Sequence, residues 1–170
     1  NTELGIPFRT PAEGHNVAFT SLWDNYPDSL EIPLKGKASR AYLLMAGSTN
    51  HMQCHIDNGV IRIYYKDGTR DVMFLRNPDN WPPIEHIFFE DGLAFNRHTP
   101  ALYRLRLKTG EISNNFGEEL GFPGASRELD GGAAVLLEMP LNPGKKLSHL
   151  VLETLSNDVV IGLMSITLKR

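Results

Sequence analysis

Two β-rich runs, Val-Ile-Arg-Ile-Tyr-Tyr (60–65) and Arg-Asp-Val-Met-Phe-Leu (70–75), flank Lys66-Asp67-Gly68-Thr69. Asp-Gly between such runs marks a tight hairpin, because a type I′ turn holds both central residues at φ > 0. With Asp67-Gly68 as a two-residue loop, Tyr65 pairs with Arg70, Ile63 with Val72 and Ile61 with Phe74. Side chains alternate across a strand. Ile61, Ile63, Val72 and Phe74 are therefore expected on the core face. Val60, Arg62, Tyr64, Asp71, Met73 and Leu75 are expected on the other.

Further runs of the same kind recur at short intervals. They are 16–23, Ser29–Leu34 with Leu30, Ile32 and Leu34 inward, 41–46, 51–55, 84–90, 102–108, 133–141, 147–155 and 159–168. Pro33 suggests an edge position for its strand, since it lacks an N–H. The run 41–46 is apolar throughout, as expected of a strand covered on both faces. In 102–108, Tyr103, Leu105 and Leu107 are expected inward, and Arg104, Arg106 and Lys108 on a solvated face. With 15 Gly and 11 Pro spread along the chain, no window is long enough for a crossover helix. The pattern predicts an all-β, antiparallel β-sandwich of jelly-roll type. Residues 1–15 read as an extended lead-in or linker, and 16–170 as one domain. Residues 109–132 read as a long loop.

Length and charge narrow the partners. A chain of 170 residues supports one domain with a substantial core. A net charge of −3 with no basic run argues against nucleic acid. No apolar run reaches the roughly 18 residues of a membrane span. The chain does not begin with Met, and it is read as a mature or excised domain. The single Cys54 excludes an internal disulfide; it is expected as a small buried hydrophobe.

The most ligand-like stretch is Arg76-Asn-Pro-Asp-Asn-Trp-Pro-Pro83, where three prolines stop any ladder. Trp81 beside Asp79, Asn80 and His86 suits a sugar, with the ring on C–H groups and the polar groups on hydroxyls. The rival reading makes Trp81 a plug folded over one end of the core. Trp23 with Asn25 and Tyr26, in the turn 24–28, forms a second candidate cluster.

Catalytic constellations are weak. His51 and His55 on a strand lie about 13 Å apart at roughly 3.3 Å per residue, too far to share one ion. Structural calcium is a possibility through the turn residues Asp24, Asp28, Asp57 and Asp158. Glu85, Glu90, Asp91, Glu118 and Glu119 supply no pair marked by glycosidase spacing. No nucleophile elbow, P-loop or dinucleotide motif is present.

Five segments carry a resemblance: Ala-Gly-Ser-Thr-Asn (46–50), Tyr-x-Lys-Asp-Gly-Thr (64–69), Leu-x-Asn-Pro-x-Asn-Trp (75–81), Gly-Gly-Ala-Ala (131–134) and Leu-x-x-Leu-x-Leu-Glu-x-Leu-Ser-Asn-Asp-Val-Val-Ile-Gly-Leu-Met (147–164). In this order they resemble the galactose-binding-domain-like β-sandwich at the C-terminal end of large secreted bacterial proteins built like glycoside hydrolases. The resemblance spans 17–168. It implies a jelly-roll, a secreted or periplasmic setting and an accessory role beside a catalytic domain that this chain lacks. The expected function is a non-catalytic, weakly carbohydrate-binding domain. The alternatives are a purely structural domain packing on a catalytic partner, or a small hydrolase or lyase.

Overall fold

The structure, a computed structural model, describes residues 4–11, 13–88, 92–116 and 126–170. Twelve strands run in chain order: β1 (Ala18–Ser21), β2 (Ser29–Pro33), β3 (Arg40–Thr49), β4 (Gly59–Tyr65), β5 (Arg70–Leu75), β6 (His86–Phe88), β7 (Arg104–Arg106), β8 (Ile112–Ser113), β9 (Ser126–Glu128), β10 (Ala133–Pro140), β11 (Leu147–Thr154) and β12 (Val159–Lys169). They form a six-stranded sheet, β1-β12-β3-β10-β7-β8, a four-stranded sheet, β2-β11-β4-β5, and the small pair β6-β9. Every paired strand is antiparallel. The two larger sheets face each other as a β-sandwich. Among the described residues no helix is long and apolar enough to cross a membrane.

The core lies between the inner faces. Ala41, Leu43 and Met45 of β3 and Val135, Leu137 and Met139 of β10 meet Ile61, Ile63, Leu150 and Leu152 of the opposite sheet. Removing a large side chain from such a site costs about 2–5 kcal/mol. The apolarity of residues 41–46 within β3 has a second cause. Its outer residues Leu44 and Ala46 pack with Ala134, and Phe8, Ile84, Leu105 and Met164 cover them. The lead-in thus lies on the outer face of the large sheet. Ser165 Oγ donates to Arg9 O at 2.9 Å, and Thr167 Oγ1 donates to Pro7 O.

The central hairpin forms with its register shifted by one residue. Tyr65 N donates to Thr69 O at 2.9 Å and Gly68 N to Tyr65 O at 3.1 Å. Gly68 has φ 83°. The loop is therefore Lys66-Asp67-Gly68, a three-residue connection with glycine in the left-handed position. Tyr64 pairs with Arg70, Ile63 with Asp71 and Ile61 with Met73. A one-residue slip turns every side chain of a strand over. Val72 and Phe74, expected in the core, are each 42 % exposed, while Leu75 is fully buried and Met73 packs on the core.

Three other expectations change. Residues 109–132, expected as a long loop, carry the short strands β8 and β9. Residues 51–55 are a loop and not a strand: Gln53 N donates to Asn50 O at 2.9 Å, Met52 N to Asn50 Oδ1 at 3.0 Å, and His55 has φ 56°. Cys54 there is only partly buried, and its thiol donates to His51 O at 3.0 Å. In β7 the basic stripe is not solvated at its first position. Arg104 is 8 % exposed and donates to the carbonyls of Pro83 at 2.8 Å, His86 at 2.9 Å and Ala133 at 3.2 Å. Burial pushes its guanidinium down to about 10. Tyr103 and Leu107, expected inward, are instead 38 % and 39 % exposed. Arg104 opposes the core residue Val135, so it faces inward and its neighbours face away.

Candidate functional site

The register places four connections at one end of the sandwich. Ser21 opposes Val160, Thr49 opposes Val159, Gly59 opposes both Thr154 and Leu75, and Ser29 opposes Glu153. Residues 22–28, 50–58, 76–85 and 155–158 therefore leave the sheets together. Buried polar side chains tie this end together, and the Thr154–Thr20 bond crosses from one sheet to the other. Thr154 Oγ1 donates to Thr20 Oγ1 at 2.8 Å, Thr49 Oγ1 to Asn58 Oδ1 at 2.8 Å, and Ser21 Oγ to Val159 O at 2.7 Å. Thr20, Ser21, Thr49, Asn58 and Thr154 are buried polar groups with partners, as burial demands. Scattered single Ser, Thr and Asn residues give no period by which the sequence reveals such a network.

On the 76–85 connection, Trp81 is fully buried within the main core cluster. It is the plug, and no ring face is left for a sugar. Its companions are spent on the loop itself. Asn80 Oδ1 accepts Arg76 N at 2.8 Å while Asn80 Nδ2 donates to Phe74 O at 2.8 Å. Asp79 Oδ1 accepts His98 N at 2.7 Å, and Asp79 O accepts Thr99 Oγ1 at 2.7 Å. The Asn77-Pro78 peptide is cis. His86 lies on β6, where its carbonyl accepts Arg104. Buried Trp81 therefore offers no ring to the expected constellation with Asp79, Asn80 and His86, and Asp79 and Asn80 are held by the hydrogen bonds above.

The second cluster is open. Trp23 is 50 % exposed, Tyr26 38 %, and beside them Phe19 is 41 % and Leu22 36 % exposed. Tyr26 N donates to Trp23 O at 2.9 Å, closing the turn, and Ser21 N donates to Pro27 O at 3.1 Å. Ser21 Oγ also accepts Trp23 N at 3.3 Å, so a buried hydroxyl anchors the exposed turn. The Trp23 and Tyr26 ring centroids are 6.5 Å apart at 57°, and those of Tyr26 and Phe19 are 6.4 Å apart at 76°. The Tyr26–Phe19 contact is edge-to-face and the Trp23–Tyr26 contact tilted, so the three rings form one contiguous aromatic patch. Asn25 is exposed between Trp23 and Tyr26.

A cavity of about 640 Å³ lies on the flank of the sandwich, between Met73 of β5 and Leu137 of β10. Leu4, Ile6 and Leu102 wall it, with Asn80 and Glu138 among its polar groups. Glu138 is ion-paired with Arg40, and both Asn80 side-chain atoms are committed as above. The cavity therefore presents mainly apolar wall.

Of the turn carboxylates considered for calcium, Asp57 pairs with Arg76 Nε at 2.6 Å. Glu85 accepts Ser48 Oγ at 3.1 Å. Glu90, Asp91, Glu118 and Glu119 lie outside the described residues. Comparisons of the chain with protein-family models, curated proteins and solved structures return no match.

Proposed function

We propose that this β-sandwich is a non-catalytic accessory domain that binds carbohydrate through the Trp23–Tyr26 turn. The carrying observation is a half-exposed Trp23 beside Tyr26 on a turn anchored by buried Ser21. An aromatic ring held in place covers the C–H face of a pyranose at little entropic cost, and the exposed amide of Asn25 supplies a hydrogen-bond partner for a hydroxyl. An open platform suits a polymer chain, and weak, repeated contacts suffice where many modules or many sites act together.

The nested strand order supports reading the sandwich as a jelly-roll. Set the β6–β9 insertion aside and number the remaining eight strands in sequence: the sheets then run first-eighth-third-sixth and second-seventh-fourth-fifth. The motif resemblance supports the setting, a secreted or periplasmic protein that degrades polysaccharide, with the catalytic domain as partner.

A second reading rests on Phe19 and Leu22. Both are exposed on or beside β1, an edge strand of the large sheet. An apolar edge of this kind also suits packing against a catalytic domain. A glycan-array screen of the chain, with and without calcium, separates the readings. Binding to one glycan class, lost in folded Trp23→Ala, supports the carbohydrate reading. A blank array at high protein concentration favours domain docking.

A further inference from the structure

Three connections remote in sequence converge on His55, Asp79 and His98. One ligand atom of each lies within 4.8 Å of the other two. The His98 Nδ1 to Asp79 Oδ1 distance is 3.6 Å, and the His55 and His98 ring centroids are 4.7 Å apart. We propose that His55, Asp79 and His98 form a binding site for a divalent transition-metal ion of the zinc class, with three protein ligands and a fourth position open to water or a ligand oxygen.

The donor set argues for this class of ion. Two imidazoles and one carboxylate suit zinc and its neighbours, whereas calcium and magnesium take oxygen ligands. Ligand atoms about 2.0–2.1 Å from a tetrahedral ion stand roughly 3.3 Å apart. The Asp79–His98 pair is already near that spacing. His55 and His98 are exposed, so rotation of their rings closes the remaining distance without moving the core.

The carboxylate is the fixed member. The Asp79 side chain is only 13 % exposed, and it is held by the backbone N–H of His98, the residue that supplies the second ligand. His55 N donates to Asn77 O at 2.7 Å, which ties the first ligand's backbone to the loop that carries Asp79. His55 also adopts φ 56°, a left-handed conformation uncommon for a residue with a Cβ and concentrated at functional positions. Arg76 opposes a bound cation, since it acts electrostatically on Asp79, but its charge is engaged by Asp57 at 2.6 Å.

The experiment is a titration of Co²⁺, a spectroscopic stand-in for zinc, into the tag-free chain after chelator treatment. Visible absorption and calorimetry report binding. His98→Ala and His55→Gly each delete one ligand; glycine is chosen because it accepts the left-handed conformation at position 55. His149→Ala, at the imidazole stacked on Tyr64, is the control. The expected result is one equivalent of ion with tetrahedral absorption bands. Affinity should fall at least about 100-fold in both ligand variants, since losing even an outer-shell partner costs about 10–100-fold. It should be unchanged in the control. Circular dichroism must show all variants folded. No binding, or binding that survives either ligand substitution, overturns the site.

Discussion

Trp81 occupies the space that a side chain at Gly47 would need. A Cβ at Gly47 would lie 2.8 Å from Trp81 Cζ2 and 2.0 Å from Val160 O. The glycine in β3 and the indole of the 76–85 connection are therefore complementary parts of one closure, and Ile84 N fastens it by donating to Gly47 O at 2.9 Å. Trp81→Ala should cost about 3–5 kcal/mol, the loss for a large aromatic removed from a core. Gly47→Ala should destabilise strongly as well, because the obstructing atoms include rigid backbone. Urea unfolding followed by circular dichroism measures both. A Trp81→Ala loss below about 1 kcal/mol would contradict the plug.

The hairpin makes a separate test. Gly68 stands at φ 83° with no heavy atom near an added Cβ. Gly68→Ala adds no clash, so its effect isolates backbone strain, about 1–2 kcal/mol for an L-residue in the left-handed region. Equal stability of the variant and the parent in urea would contradict the three-residue loop.

How much of this was legible beforehand follows from what the sequence can encode. Alternation marks strands, and the Asp67-Gly68 pair marks a turn, so the longer strands and the sandwich were within reach. Residues 51–55 alternate without forming a strand, and the short β8 and β9 carry too few residues to show a period. Alternation does not distinguish a two-residue loop from a three-residue one. That single residue moved Val72 and Phe74 to the outside. Trp81 reads as plug or as platform, because its burial depends on the room left at Gly47, 34 positions away. The exposed Trp23–Tyr26 turn was legible from its turn residues. His55 with His98 was not, since only the folded loops bring them together.

Alkaline pH probes the opposite end of the sandwich. Burial, with the hydrogen bond from Tyr65 Oη to the Asp71 carboxylate, pushes the Tyr65 phenol from 10.0 up to about 12. The folded state thus keeps a proton that the unfolded state has lost between these values. The stability Tyr65 contributes is fully present below pH 10 and is lost as pH rises toward about 12. Arg104, whose pKa is lowered to about 10, acts with the opposite sign over part of the same range. Tyr65→Phe isolates the phenol: urea midpoints of the variant should fall less steeply across this window than those of the parent. Parallel slopes would contradict the assignment.

Acid pH probes the hairpin turn. Hydrogen bonds from Thr69, with Lys145 beside it, hold Asp67 down at about 2. Its contribution is present above its ordinary pKa of 3.8 and is lost as pH falls from there toward 2. Asp67→Asn should flatten the acid limb of stability against pH in that window. A limb unchanged from the parent would exclude a role for this turn in acid stability.

The domain holds two tryptophans, one exposed and one buried, and this permits the most direct test of the proposed binding turn. Single variants Trp81→Phe and Trp23→Phe each retain one fluorophore, and each is titrated with the glycan selected by the array. A saturable change in emission is expected when Trp23 is the remaining tryptophan, and neither binding nor an emission change when Trp81 is. An undiminished response in Trp23→Phe would contradict binding at the Trp23–Tyr26 turn.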